Sequence, residues 1–238
     1  MREHAGGADA VADRVLHRLP HDRRVLLAVD GIGGSGKTSF ASDLAARVTD
    51  RPVLVLHADD FFHPARVRHA RGRLSPEGFW LDAYDLAALA GGALEPLSRP
   101  GPARYRDHVY DRRTGDAVRP DPVTAPHDAL VVVEGTFLHR DQLCGYWDRS
   151  VYLHVPFAEA ARRMAARDGV DPDLRAGPLR RYLGAQRLYF AAARPWARAS
   201  LVVDHADVRR PVVVAPGAVG AAVDRELAAL DAAAQRSR

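Results

Sequence analysis

The stretch VLLAVDGIGGSGKTSFASDLAARV, Val25 to Val48, decides the fold. Its first five residues are a continuous apolar run rich in branched side chains, the pattern of a strand buried on both faces. From Thr38 to Val48 the apolar positions recur at helical spacing. Between the two lies GIGGSGKT, Gly31 to Thr38, which matches G-x-x-x-x-G-K-[ST] at every position. A strand, a glycine-rich turn and a helix in that order predict a loop that wraps triphosphate. Gly31, Gly33, Gly34 and Gly36, with Ser35 among them, free the backbone to turn its N–H groups inward, and the helix beginning near Lys37 adds its positive dipole end. Lys37 is expected to reach the β and γ phosphates, and Thr38 to ligate Mg²⁺ through its hydroxyl.

Lys37 is the only lysine among 34 basic residues; the other 33 are arginine. A guanidinium is a planar fork and an ammonium a compact point charge on a thin stem, so a narrow phosphate nest retains lysine where the composition otherwise favours arginine. The chain's 238 residues, 47% hydrophobic, suffice for one substantial core and predict a single domain. No apolar run reaches the roughly 18 to 20 residues of a membrane span, and the N-terminal segment lacks the apolar stretch of a secretory signal, so the expected compartment is the cytoplasm. Cys144 is the only cysteine, which excludes an intrachain disulfide and a cysteine-built zinc cluster. The formal charge of +4 and the interleaving of arginines with aspartates argue against a nucleic-acid partner.

Further apolar runs at Val53–Leu56, Ala129–Val133, Val151–Val155 and Ser200–Val203 read as buried parallel strands. Helical periodicity marks Phe79–Leu89, Phe157–Arg167, Leu179–Ala193 and Val219–Ala234. The order predicts a three-layer α/β sheet of about five parallel strands. Residues 63–77 and 98–127, rich in Pro, Arg, Gly and Asp, read as substrate-side loops. The first eight or so residues and the tail from Gln235 read as loosely ordered.

Phosphoryl transfer needs an acid to arrange metal and another to take the proton of the attacking hydroxyl. HADDFFHP places Asp59 and Asp60 after the second strand, and VVVEGTF places Glu134 after the third, where sheets of this kind present their ligands. At these strings the sequence resembles the uridine kinase group of P-loop kinases, which includes the nicotinamide riboside kinases. The resemblance runs from about Val25 to Pro211. It implies that Asp59 is the base for the acceptor hydroxyl, that Glu134 joins Thr38 at the metal, and that Phe62 lies beside the sugar. VYD at 109–111 matches the group's segment that holds the nucleoside base, which implies a stacking role for Tyr110. The group's histidine shortly after that tyrosine has no counterpart; Gly115 or a neighbour falls there.

Residues 158–178 resemble the group's lid, whose R-x-x-x-R-D pattern matches Arg163, Arg167 and Asp168. These two arginines share a helical face that reads as lacking acid partners. The likeness implies that Arg163 binds ATP phosphates and that Arg167 neutralises the transferring group, with Arg175 a further candidate. RYLGAQRLYF implies a nucleoside contact for Gln186, and SLVVDHADVRRP reads as the final strand with an adenine-side loop. The expectation is a kinase using ATP and Mg²⁺ on a small nucleoside-like acceptor, uridine or cytidine first. Nicotinamide riboside, pantothenate, a sugar, and a non-catalytic ATP-binding regulator stay open, as does a homo-oligomer. A GTPase switch is excluded because its guanine-reading N-K-x-D string needs a second lysine.

Overall fold

The computed structural model describes residues 5–174 and 177–236. Helix α1 (Ala5–Leu16) precedes β1 (Val25–Gly31), α2 (Lys37–Arg47) and β2 (Val53–His57). A 3-10 turn, Ala58–Phe61, leads into three short helices, α3 (Ala65–Arg68), α4 (Pro76–Asp82) and α5 (Leu86–Leu89). A π-helical turn, Ala90–Leu94, and α6 (Glu95–Ser98) follow, then β3 (Ala103–Tyr105), β4 (Val123–Ala125), β5 (Leu130–Gly135) and β6 (Arg149–His154). The chain closes with α7 (Phe157–Asp168), α8 (Gly177–Ala193), α9 (Pro195–Arg198), β7 (Leu201–Asp204), β8 (Val212–Val214) and α10 (Pro216–Arg236).

The main sheet runs β2-β5-β1-β6-β7-β8, with its first five strands parallel and β8 antiparallel to β7. Every residue of β1 is buried, yet alternate residues serve opposite faces. Leu26 and Ala28 pack with Tyr152, Phe137 and Tyr189 on one face, while Val25, Leu27 and Val29 pack with Ala41, Leu44 and Val15 on the other. A continuous apolar run therefore signals a three-layer core, and the five parallel strands fall within two residues of their predicted bounds.

Three expectations change. α1 forms from Ala5 onward, where the sequence reads as loose; Val11, Ala12 and Val15 bury themselves against the sheet, and Asp9 pairs with Arg47 of α2 at 2.6 Å. Phe79–Leu89 is not one helix. It breaks at 83–85 because Phe62 and Tyr84 form a bridge, with Asp85 N–H donating to Phe61 O at 2.7 Å and His63 N–H to Ala83 O at 2.9 Å. Within 98–127, β3 and β4 pair antiparallel through Ala103–Ala125 and Tyr105–Val123, a contact too short to leave a periodic signal.

Leu27 is fully buried at the centre of β1, so Leu27→Ala should lower unfolding free energy by about 2–5 kcal/mol, read from urea titration. A loss below about 1 kcal/mol would contradict the packing described.

Candidate active site

The loop between β1 and α2 takes a backbone form that few residues other than glycine adopt. Gly34 has φ 76° and Gly36 φ 84°, and a Cβ on Gly34 would lie 2.5 Å from the Ala160 carbonyl oxygen of α7. Ser35 Oγ is buried without a protein partner, a polar atom left for something the loop encloses. Lys37 Nζ donates to Ile32 O at 3.0 Å across the loop. Burial pushes the Lys37 ammonium down, while the charges of Glu134, Asp59 and Asp30 oppose that shift.

Beneath the loop, Asp30 is wholly buried and accepts from the Gly31 N–H at 2.7 Å, from His139 Nδ1 at 2.8 Å and from the Tyr189 hydroxyl. Sequence reading marks neither Asp30 nor His139, and gives Tyr189 only a packing role beneath the nucleoside. Asp30 precedes the motif, and its partners lie 109 and 159 residues away. The Tyr189 phenol rises well above its usual range, first through burial and then through the charge of Asp30, so it remains a neutral donor.

Parallel pairing aligns three strand ends. His57 pairs with Glu134 across β2 and β5, and Val29 pairs with Glu134 across β1 and β5, two residues before the loop opens. Glu134 Oε1 accepts from Thr38 Oγ1 at 3.1 Å and meets His57 Nδ1 at 2.7 Å. Burial alone would raise the Glu134 carboxyl, but the His57 hydrogen bond, the charge of Lys37 and the Thr38 hydroxyl outweigh it and hold the group below its usual range. The same hydrogen bond raises His57 against the opposing effect of its burial. His57 stands inside a quoted motif but was overlooked; its place in register with Glu134 is the signal that marks it.

Asp59, in the 3-10 turn after β2, accepts from the Tyr84 hydroxyl at 2.9 Å. Burial, then the Asp59 charge, raises the Tyr84 phenol well above its usual range, so Tyr84 orients the carboxylate without contesting its charge. Asp60 turns aside to an ion pair with Arg112 at 2.5 Å. Arg167, at the end of α7, pairs with neighbouring Asp168 at 2.7 Å and remains exposed; its charge acts on Lys37, and the charge of Asp59 acts on it.

Other expected residues are deployed differently. Arg163 is engaged by protein partners. Glu159, four residues earlier, pairs with it at 2.7 Å, and its guanidinium also donates to Gly34 O at 3.3 Å and to the carbonyls of His205 and Ala206. It braces the loop from behind, because α7 packs against the loop as scaffold. The arginine face is thus answered by Glu159, which pairs with Arg162 as well. Tyr110 is buried, and its hydroxyl accepts from Arg68 at 3.0 Å. Phe62 is half-buried and stacks on Tyr84 with centroids 4.7 Å apart. Gln186 is buried in α8 and lines neither of the cavities that flank residues 107–120. Arg175 lies outside the described residues. The predicted adenine-side loop does meet α2: His205, Val208 and Pro211 line a cavity of about 230 Å³ with Gly36, Ser39 and Phe40.

A phosphate loop after β1, with acids at the ends of the neighbouring strands β2 and β5, has the architecture of the P-loop kinases. The fold is that of their uridine kinase-like branch. A solved structure described as a candidate uridine kinase from Bacillus stearothermophilus superposes with a TM-score of 0.65 at 23% identity, covering 84% of this chain and 98% of that one. In sequence the chain is similar to a Schizosaccharomyces pombe protein described as a candidate uridine kinase, at 25% identity over 178 residues, 67% of this chain and 72% of that protein. It is also similar to human nicotinamide riboside kinase 1, at 26% identity over 149 residues, 62% of this chain and 67% of that protein. No protein-family model matches the chain. Among the described residues no helix is long and apolar enough to cross a membrane.

Because the Glu134 hydrogen bond raises the His57 imidazole above its usual value of about 6.5, the stability this pair contributes is fully present below that pH and is lost as pH rises through the raised value. Unfolding titrations between about pH 6 and pH 9 should show that decline in the ligand-free wild type and its loss in His57→Gln. Parallel curves for the two proteins would contradict the pairing.

Proposed function

We propose that the chain transfers the γ-phosphoryl group of ATP to a hydroxyl of a small acceptor. The observation that carries this reading is the convergence of Lys37, Glu134 and Asp59 at adjoining ends of the sheet, with Lys37 under the charge of both acids. A loop for triphosphate alone would need only the first two.

The glycine-lined nest, the unpartnered Ser35 Oγ and the hard oxygens of Thr38 and Glu134 suit a nucleotide with a magnesium ion. Thr38 and Glu134 would hold Mg²⁺, which when bound adds positive charge beside the β and γ phosphates. The cavity lined by Phe40 and His205 is the place for the base of ATP. Lys37 and Arg167 stabilise charge on the phosphoryl group in flight, and Asp59, aimed by the Tyr84 hydroxyl, takes the proton of the attacking acceptor. Position and charge do the work, with no covalent intermediate asked of the protein. The segment that closes over the phosphates begins near Arg167, since the body of α7 is packed.

Likeness to uridine kinases favours a nucleoside acceptor, with Phe62 beside the sugar. Tyr110 is already covered by Arg68, whose guanidinium carbon stands 5.2 Å from its ring centroid, so a base would have to displace that contact to stack there.

Asp59→Asn should lower kcat by about 10²–10⁴ while leaving the affinity for ATP within about twofold, measured by product formation over a panel of hydroxyl acceptors and by nucleotide titration. Undiminished transfer in this variant would remove Asp59 from the reaction. Tight ATP binding by the wild type with no transfer to any acceptor would favour a regulator.

A further inference from the structure

Residues 107–120 stand between two cavities, and the smaller, of about 480 Å³, has a role that the phosphate chemistry leaves unassigned. It adjoins the acceptor position. Phe62 forms one wall, and the same short ladder that pairs Phe62 with Tyr84 carries the Asp59–Tyr84 hydrogen bond. Gly91 and Gly92 of the π-helical turn form another wall of bare backbone, and a Cβ on Gly91 would meet nothing within 4 Å. Such interruptions of helical geometry recur at functional sites.

Arg66, Arg106 and Arg119 line this cavity, and Arg68 lies over the Phe62 ring at 4.9 Å. Among the described residues none of these four guanidinium groups is ion-paired; Arg106 donates to Pro120 O at 3.1 Å and Arg68 to the Tyr110 hydroxyl. The Nε of Arg68 is buried with no partner. The nearby carboxylates are otherwise engaged. Asp60 holds Arg112, and Asp85 caps α5 through the Ala88 N–H at 2.8 Å and lies 4.0 Å from His63. Elsewhere in the chain arginines such as Arg47, Arg71, Arg163, Arg187 and Arg198 meet carboxylates. Arg66, Arg106 and Arg119 share this hollow with one lining carboxylate, Asp85, which already caps α5, and the guanidinium fork matches the oxygens of a phosphate monoester or a carboxylate.

We propose that this cavity receives an anionic group on the acceptor, a phosphate monoester or a carboxylate, while the acceptor's hydroxyl lies at Asp59. On this proposal the acceptor is a small hydroxylated anion, in place of the neutral nucleoside that likeness by itself favours. The proposal rests on the kinase reading above and names its acceptor class.

One scaffold with three end groups tests it. With the phosphate loop saturated by a non-hydrolysable ATP analogue and Mg²⁺, ribose 5-phosphate, ribonate and ribose are titrated by calorimetry. At least one of the two anions should bind about tenfold or more tighter than ribose, and the tighter one identifies the end group. The double variant Arg66→Gln/Arg119→Gln should lose that preference while its affinity for the ATP analogue stays unchanged, which also reports that it is folded. Equal binding of all three compounds, absence of binding by all three, or a preference that survives in the double variant would each overturn the inference. Turnover of uridine with no response to the double substitution would overturn it too, yet leave the kinase reading intact; undiminished transfer by Asp59→Asn would strike the catalytic assignment alone.

Discussion

Parallel hydrogen bonding of β1, β2 and β5 sets where the chemistry is found. Strands that run the same way in one register must end at the same edge, so the loop after Asp30, the turn after His57 and the carboxylate of Glu134 arrive together without any of them being near the others in sequence. The consequence is electrostatic. Lys37 is half-buried, and the charges of Glu134, Asp59 and Asp30 oppose the cost of taking its ammonium out of water. Asp30 has a second task, fixing the first amide of the phosphate loop while His139 and Tyr189 complete its hydrogen bonds from the other side of the sheet.

Much of this was legible along the chain. Continuous apolar runs marked β1, β2, β5, β6 and β7, because a strand covered on both faces has no polar side to display. GIGGSGKT announced its own conformation through glycines that two positive φ angles now explain. The acids at the ends of the strands could be located once the strands were. What could not be read was whatever depends on partners far apart. The helix expected over Phe79–Leu89 breaks because Tyr84 is drawn to Phe62 and Asp59, a tertiary bond with no local signature. The first turn of α1 reads as loose because the apolar residues that anchor the helix, Val11, Ala12 and Val15, follow it and gain their meaning only from the sheet beneath them.

Arginine was the hardest residue to read, because composition makes it common and position gives it unrelated duties. Arg24 is buried and holds the carbonyls of Leu97, Pro126 and Gly101, a structural tie between loops. Arg163 matches a phosphate-binding pattern yet clamps the back of the loop, since Glu159 lies one turn before it. Arg167, one turn further on, extends beyond the packed part of the same helix and keeps the exposure its neighbour lacks. Among the described residues the guanidinium groups around the cavity beside Phe62 differ from these in forming no ion pair. Sequence spacing distinguishes none of these duties, whereas the identity of each hydrogen-bond acceptor does.

On the proposed function, the nest around Lys37 positions a triphosphate for transfer of its terminal phosphoryl group. It is tested most directly by following the label of γ-labelled ATP in the wild type and in Lys37→Arg, which keeps the charge but replaces the thin ammonium stem with a planar fork. With the wild type, label should appear in a phosphoester only when an acceptor is present, and the variant should lose that transfer by about a hundredfold or more. Label released only as inorganic phosphate whatever the acceptor, or transfer by Lys37→Arg at the wild-type rate, would contradict it.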